Sequence, residues 1–177
     1  MIYLDNAATT KPSKAAVDAM IKAAECFGNP SSLHGLGIEA EKLINESKKN
    51  IADMLGVESK NILFTSGGTE ANNLAVFGVA AARHKIGTKI VTSKIEHPSV
   101  LEAFRKLEID GFNVEYLDVD SEGRVDLDML RNVLDEETIL ISVMHVNNET
   151  GVIQPIEEIR EIMLEKAPYA HLHTDLS

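Results

Sequence analysis

Thr138-Ile-Leu-Ile-Ser-Val-Met-His-Val146 is the stretch that decides the fold. Ile139, Ile141 and Val143 point to one side of an extended chain, Leu140 and Met144 to the other. A strand apolar on both sides belongs in the middle of a parallel sheet covered on both faces. Working outward, extended runs are expected at Asn61–Thr65, Lys89–Thr92, Asn113–Val119 and Ala170–Asp175. Between and before them the period changes to that of a helix: Ser13–Phe27, Glu39–Leu55, Glu70–Lys85, Ser99–Ile109, Asp126–Leu134 and Ile156–Lys166, several closed by a glycine. Strands alternating with helices predict an α/β fold with three layers, a mostly parallel sheet between helices. Ser177 follows a strand with no helix returning over the sheet, so the chain is expected to be the front part of a longer domain.

Composition agrees with a folded chain. Of 177 residues, 44% are hydrophobic and 25% charged, which excludes disorder. Seventeen basic against 28 acidic residues leave a net charge of −11, poorly suited to a nucleic-acid partner. The single Cys26 excludes an internal disulfide framework. No apolar run reaches the roughly 18 residues of a membrane span, and the N-terminus lacks the basic start and apolar core of a signal peptide. A cytoplasmic location and no membrane partner are expected.

Ligands of open parallel sheets bind beyond the carboxyl ends of the strands. Ser66-Gly-Gly-Thr69 follows the first expected strand and opens a helix. It can be a phosphate cup built from free N–H groups and the Thr69 hydroxyl, or a tight turn with Thr69 as cap. It matches neither a Walker A loop nor a dinucleotide fingerprint. His97-Pro98 lies between a strand and a helix, with His97 either a surface cap or a group aimed into the same edge. Asn147-Asn-Glu-Thr-Gly151 is either a plain turn or a source of an amide donor. Asp175 ends a strand expected in the middle of the sheet, where a carboxylate must be paired or ligated. His171, His173 and Asp175 alternate on one face, as in a metal site, but Leu176 stands where such a motif wants another His. No metal ligand is assigned. Cys26, beside Glu25, lacks the electropositive setting of a reactive thiol and is read as a packing residue.

Taken together, Tyr3-Leu-Asp-Asn-Ala-Ala-Thr-Thr10, Gly28-Asn-Pro-Ser-Ser32 with His34, Thr65-Ser-Gly-Gly-Thr-Glu-Ala-Asn-Asn73, Glu96-His-Pro98, His145-Val-Asn-Asn-Glu-Thr-Gly151 and His173-Thr-Asp175 resemble the NifS/IscS-type cysteine desulfurases, fold-type I enzymes of the class V aminotransferase superfamily. The resemblance follows the family's order over nearly the whole chain. It implies a pyridoxal 5'-phosphate (PLP) enzyme, a transferase that converts L-cysteine to L-alanine. Its sulfur passes as a persulfide to an acceptor or scaffold protein, for example in iron–sulfur cluster biogenesis.

By the same resemblance, Gly68 and Thr69 hold the phosphate, and His97 stacks on the pyridine ring and handles protons. Asn148 contacts the ring hydroxyl and Asp175 pairs with the ring nitrogen. A carboxylate there keeps the nitrogen protonated and the ring a better electron sink. By the resemblance, Gly28–His34 is expected near the active-site entrance, within reach of the partner of a homodimer. Residues 1–14 are expected to belong with the family's small domain and residues 15–177 to form an incomplete large domain. The family's Schiff-base lysine, sulfur-accepting cysteine and substrate arginine have no counterpart here. The chain alone is therefore expected to be an inactive N-terminal half, and neither Lys166 nor Cys26 substitutes for the missing groups. Alternatives are a selenocysteine lyase-like enzyme, a non-catalytic dimerisation or scaffold-binding module, and a metal-dependent hydrolase using His171, His173 and Asp175.

Overall fold

In the computed structural model, which describes residues 2–176, four strands among the described residues form one parallel sheet. They are Lys89–Ser93 (β1), Asn113–Leu117 (β2), Thr138–Ser142 (β3) and His171–His173 (β4), in the order β2-β1-β3-β4. Every residue of β3 is buried, as its two apolar faces require. The helices are Lys14–Glu25 (α1), Gly35–Leu55 (α2), Gly68–Arg83 (α3), Pro98–Ile109 (α4), Leu127–Val133 (α5) and Ile156–Lys166 (α6). The chain divides into two compact units, one running to Phe64 and one starting at Thr65.

The second unit has the three expected layers. On one face of the sheet, Val76 and Ala80 of α3 and Val100, Ala103, Phe104 and Leu107 of α4 pack with Ile90 and Leu140. On the other, Leu130 of α5 and Ile159, Ile162 and Met163 of α6 pack with Val91, Leu117, Ile141 and Val143. Burying such aliphatic side chains stabilises the unit by about 1.5–3 kcal/mol each. The strand order carries the functional consequence. After β1 the chain steps outward to β2, then returns past β1 to β3 and on to β4. The connections therefore diverge between β1 and β3, and a crevice opens beyond the carboxyl ends of these two strands.

Two expectations fail. Asn61–Thr65 is not a strand: Ser59–Asn61 is a 3-10 turn, and Leu63 and Phe64 are 66% and 49% exposed. The backbone of Ile62 is extended (φ −93°, ψ 121°), but the segment has no ladder partner among the described residues. An apolar run supplies strand propensity; only a neighbouring strand makes it a strand. β4, expected in the middle, is an edge of the described sheet.

In the first unit, α1 is capped by Ser13, whose Oγ accepts the Ala16 N–H at 3.1 Å, and α2 by His34, whose Nδ1 accepts the Gly37 N–H at 3.4 Å. α2 ends at Gly56, whose left-handed φ of 67° suits a residue without Cβ. At Gly28 a Cβ would lie 2.1 Å from the Leu36 carbonyl oxygen, so only glycine permits that approach. No helix among the described residues is long and apolar enough to cross a membrane.

Candidate functional site

β1 ends at Ser93, and Lys94–His97 leads into α4. Glu96 in this loop is only 4% exposed. Its Oε1 accepts the Ser93 hydroxyl at 2.5 Å and the Met144 N–H at 2.9 Å, which ties the loop to the segment following β3. Its Oε2 is buried with no hydrogen-bond partner among the described residues. Burial pushes the Glu96 carboxyl up from 4.5 to about 7; the Ser93 and Met144 bonds oppose this, and the nearby Asp175 charge adds to it. Asn147 is a second tie. Its Nδ2 donates to the Ile95 carbonyl at 3.1 Å, while its Oδ1 accepts the Glu149 N–H at 3.1 Å, the Thr150 N–H at 2.9 Å and the Thr150 hydroxyl at 3.0 Å. The tight turn closes at Gly151, with φ 74°.

α3 starts at Gly68, after Gly67, and its first turn closes with the Ala71 N–H on the Gly67 carbonyl at 3.1 Å. The amides ahead of Ala71 are the ones a helix leaves unpaired. The Glu70 carboxylate accepts the Ser66 N–H at 2.5 Å. That bond and the Ser66 hydroxyl hold its carboxyl below the ordinary range. Thr69 lies exposed at this helix start.

One hydrogen-bonded chain joins α3, α4 and the end of β4. Asn72, buried one turn into α3, donates from Nδ2 to Asp175 Oδ2 at 2.8 Å and to Ser99 Oγ at 2.9 Å. Ser99 Oγ lies 2.8 Å from His97 Nδ1, which also accepts the Ser99 N–H at 3.1 Å. Asp175 is 8% exposed, and its own carbonyl accepts the His145 N–H at 2.9 Å.

The expected site residues are thus largely gathered. Thr69 and His97 line one cleft of about 510 Å³, with Asn73 and Lys106; His97 and Asn148 line another of about 550 Å³, with Lys94 and Glu96. Asp175 reaches His97 through Asn72 and Ser99, and Gly68 opens the helix that carries Thr69. The other candidates are not so gathered. His171 is exposed, while His173 is half-buried with Nδ1 2.8 Å from Ser142 Oγ. Burial lowers the His173 pKa, and the Asp175 charge opposes that. Among the described residues no group of three or more His, Cys, Asp or Glu side chains is placed to hold a metal ion. Cys26 is half-buried at the end of α1.

Three side chains received no role from sequence reasoning: Asn72, Ser99 and Glu96. A signal existed for Asn72. It heads the buried stripe Asn72, Val76, Ala80, and an amide on an apolar face needs a polar partner.

The donor set fits pyridoxal phosphate. A helix start with an adjacent hydroxyl suits the phosphate dianion. The exposed His97 ring suits an aromatic face, and the exposed Asn148 amide a phenolic oxygen. The buried Asp175 carboxylate, steered by Asn72, suits a pyridinium N–H.

Comparison with known proteins agrees. The aminotransferase class-V family model matches residues 2–177. A putative cysteine desulfurase, IscS 1, of Bacillus subtilis is 48% identical over 171 residues, 96% of this chain and 45% of that protein. The cysteine desulfurase IscS of Dictyoglomus turgidum is 50% identical over 173 residues, 96% of this chain and 43% of that protein. Among solved structures, a NifS-like protein superposes with a TM-score of 0.95 at 40% identity, over 98% of this chain and 48% of its own. SspA in complex with cysteine gives 0.90 at 37% identity, over 98% and 50%. The chain spans about half the length of the relatives it matches. From the parallel sheet, the gathered site and the family match over residues 2–177, the chain belongs to the class-V aminotransferases.

Proposed function

We propose that the protein carrying this chain is a pyridoxal phosphate-dependent cysteine desulfurase that releases L-alanine from L-cysteine and hands the sulfur to an acceptor protein. The observation that carries this reading is the juxtaposition of the exposed His97 ring with the start of α3, tied to a buried Asp175 carboxylate by Asn72 and Ser99. The cofactor, when bound, supplies an electron sink next to the substrate α-carbon. The chain's own groups bind and orient. Gly68 and Thr69 hold the phosphate with backbone N–H groups and a hydroxyl. Asp175 holds a proton on the ring nitrogen, Asn148 donates to the ring hydroxyl, and His97 covers the ring face and keeps water from it. Glu96 and Asn147 fix the loops that present His97 and Asn148.

Alongside this reading we propose a cytoplasmic homodimer whose sulfur serves, for example, iron–sulfur cluster assembly, with residues 1–14 belonging to a small domain. The test uses the protein encoded by the whole reading frame. With L-cysteine and a reductant it should yield alanine and sulfide, and Asp175→Ala should keep the cofactor while losing nearly all turnover. Absence of alanine in the parent protein, or near-normal turnover in that variant, would sink the proposal.

A further inference from the structure

Asp175 is held from two sides. Its carbonyl accepts the His145 N–H at 2.9 Å, continuing the β3–β4 ladder past the Val143 N–H, which donates to the His173 carbonyl at 3.1 Å. These bonds place the main chain but do not set the rotation of the carboxylate. The side chain is met instead from α3. Asn72 Nδ2 donates to Asp175 Oδ2 at 2.8 Å and to Ser99 Oγ at 2.9 Å. An amide nitrogen has two hydrogens, so both are used. Ser99 Oγ accepts whichever way its own hydrogen points, because a hydroxyl oxygen carries two lone pairs. Turned over, the amide would set its carbonyl oxygen against an ionised carboxylate, which has no hydrogen to give. Asn72 and Asp175 are only 4% and 8% exposed, so water does not readily replace a lost bond. Val76 and Ala80 continue the stripe that Asn72 heads and pack with Ile90 and Leu140 of the sheet, which fixes the rotation of α3. Thr69 precedes Asn72 by three residues, about 4.5 Å along the helix axis.

We propose that Asn72 is a positioning residue: it orients the Asp175 carboxylate, with Ser99 as the second acceptor that fixes the plane of the amide. The inference rests on the pyridoxal phosphate reading, in which Asp175 pairs with the ring nitrogen. Asn72 then acts through Asp175 and not on the bound group itself. A carboxylate already held by one oxygen does not have to turn when the ring nitrogen arrives. A donor to the ionised carboxylate also favours that form, so the shared proton stays on the ring side. One rigid helix thereby carries both the start that holds the phosphate and the brace of the group facing the ring nitrogen.

The experiment uses the protein encoded by the whole reading frame. Without cofactor and labelled with ¹⁵N-asparagine, the parent should show slowly exchanging side-chain amide hydrogens at Asn72. Asp175→Ala should speed that exchange about ten- to hundredfold, the worth of one hydrogen bond to a charged group. This arm needs no substitution at Asn72, so it decides even where Asn72→Leu does not fold. Loaded with ¹⁵N-pyridoxal phosphate, the protein reports protonation of the ring nitrogen through its chemical shift. Asp175→Ala should move that shift toward the unprotonated value. Asn72→Leu should move it the same way by a smaller amount, and should add nothing to Asp175→Ala in the double variant. The positioning role is overturned by amide exchange that Asp175→Ala leaves unchanged. It is equally overturned by a ring nitrogen that Asp175→Ala moves and Asn72→Leu does not, or by an effect of Asn72→Leu that persists in the double variant. A ring nitrogen unmoved by Asp175→Ala overturns the cofactor reading instead, and the amide exchange still decides whether Asn72 holds the carboxylate.

Discussion

Glu96→Gln should stabilise the chain at alkaline pH and leave it nearly unchanged at acid pH. The carboxyl is raised from 4.5 to about 7, with burial as the leading cause. A folded state that binds its proton more tightly than the unfolded chain loses stability as pH climbs from the unfolded to the folded value. The loss is absent below pH 4.5, complete above about 7, and amounts to roughly 3 kcal/mol at 1.36 kcal/mol per pH interval. Gln keeps a carbonyl oxygen for the Ser93 hydroxyl and the Met144 N–H. At the position of Oε2 it places an amide donor where the protonated acid places its O–H, so the two side chains are near equivalents at low pH. The assay is urea denaturation followed by circular dichroism between about pH 5 and pH 8.5. The difference between variant and parent should grow from near zero to about 2–3 kcal/mol in favour of Gln. A difference that does not change with pH, or a variant less stable throughout, would refute the argument that an ionised carboxylate is disfavoured by burial at this position.

Thr69→Ala should weaken pyridoxal phosphate binding about ten- to hundredfold, the worth of one charge-assisted hydrogen bond of roughly 1.5–3 kcal/mol, and an absorbance titration with unchanged affinity would remove Thr69 from the phosphate cup. His173 is lowered by burial, so the folded state resists its protonation and stability should fall as pH drops below 6.5. His173→Gln should flatten that acid limb, and a limb of unaltered slope would exclude His173 as its source. Cys26→Ser should leave cofactor binding and turnover of the whole protein unchanged, since Cys26 is a half-buried residue at the end of α1; a dead variant would overturn its reading as a packing residue.

The sequence by itself determined the architecture wherever a period was sustained. The Thr138–Val146 run demanded a strand buried on both faces, and α6 occupies Ile156–Lys166 as its apolar spacing requires. Local chemistry also marked two helix boundaries, Gly56 after α2 and Pro98 at the start of α4. The residues of the candidate site, Thr69, His97, Asn148 and Asp175, were legible as polar groups at the ends of expected strands, although the strand expected before Thr69 does not form. Only the tertiary structure decided pairing. Asn61–Thr65 has the composition of a strand and no partner, and β4 stands at an edge, because strand neighbours are set by long-range contacts that no local window contains. The same holds for the bonds between Asn72, Ser99 and Asp175. Ser99 and Asp175 lie 27 and 103 positions from Asn72 along the chain, so the apolar stripe of α3 can mark Asn72 as an amide that needs partners, but no local window says which residues those are. Packing of α3 against α4 and the end of β4 brings them within hydrogen-bond reach, and burial then makes each bond costly to lose.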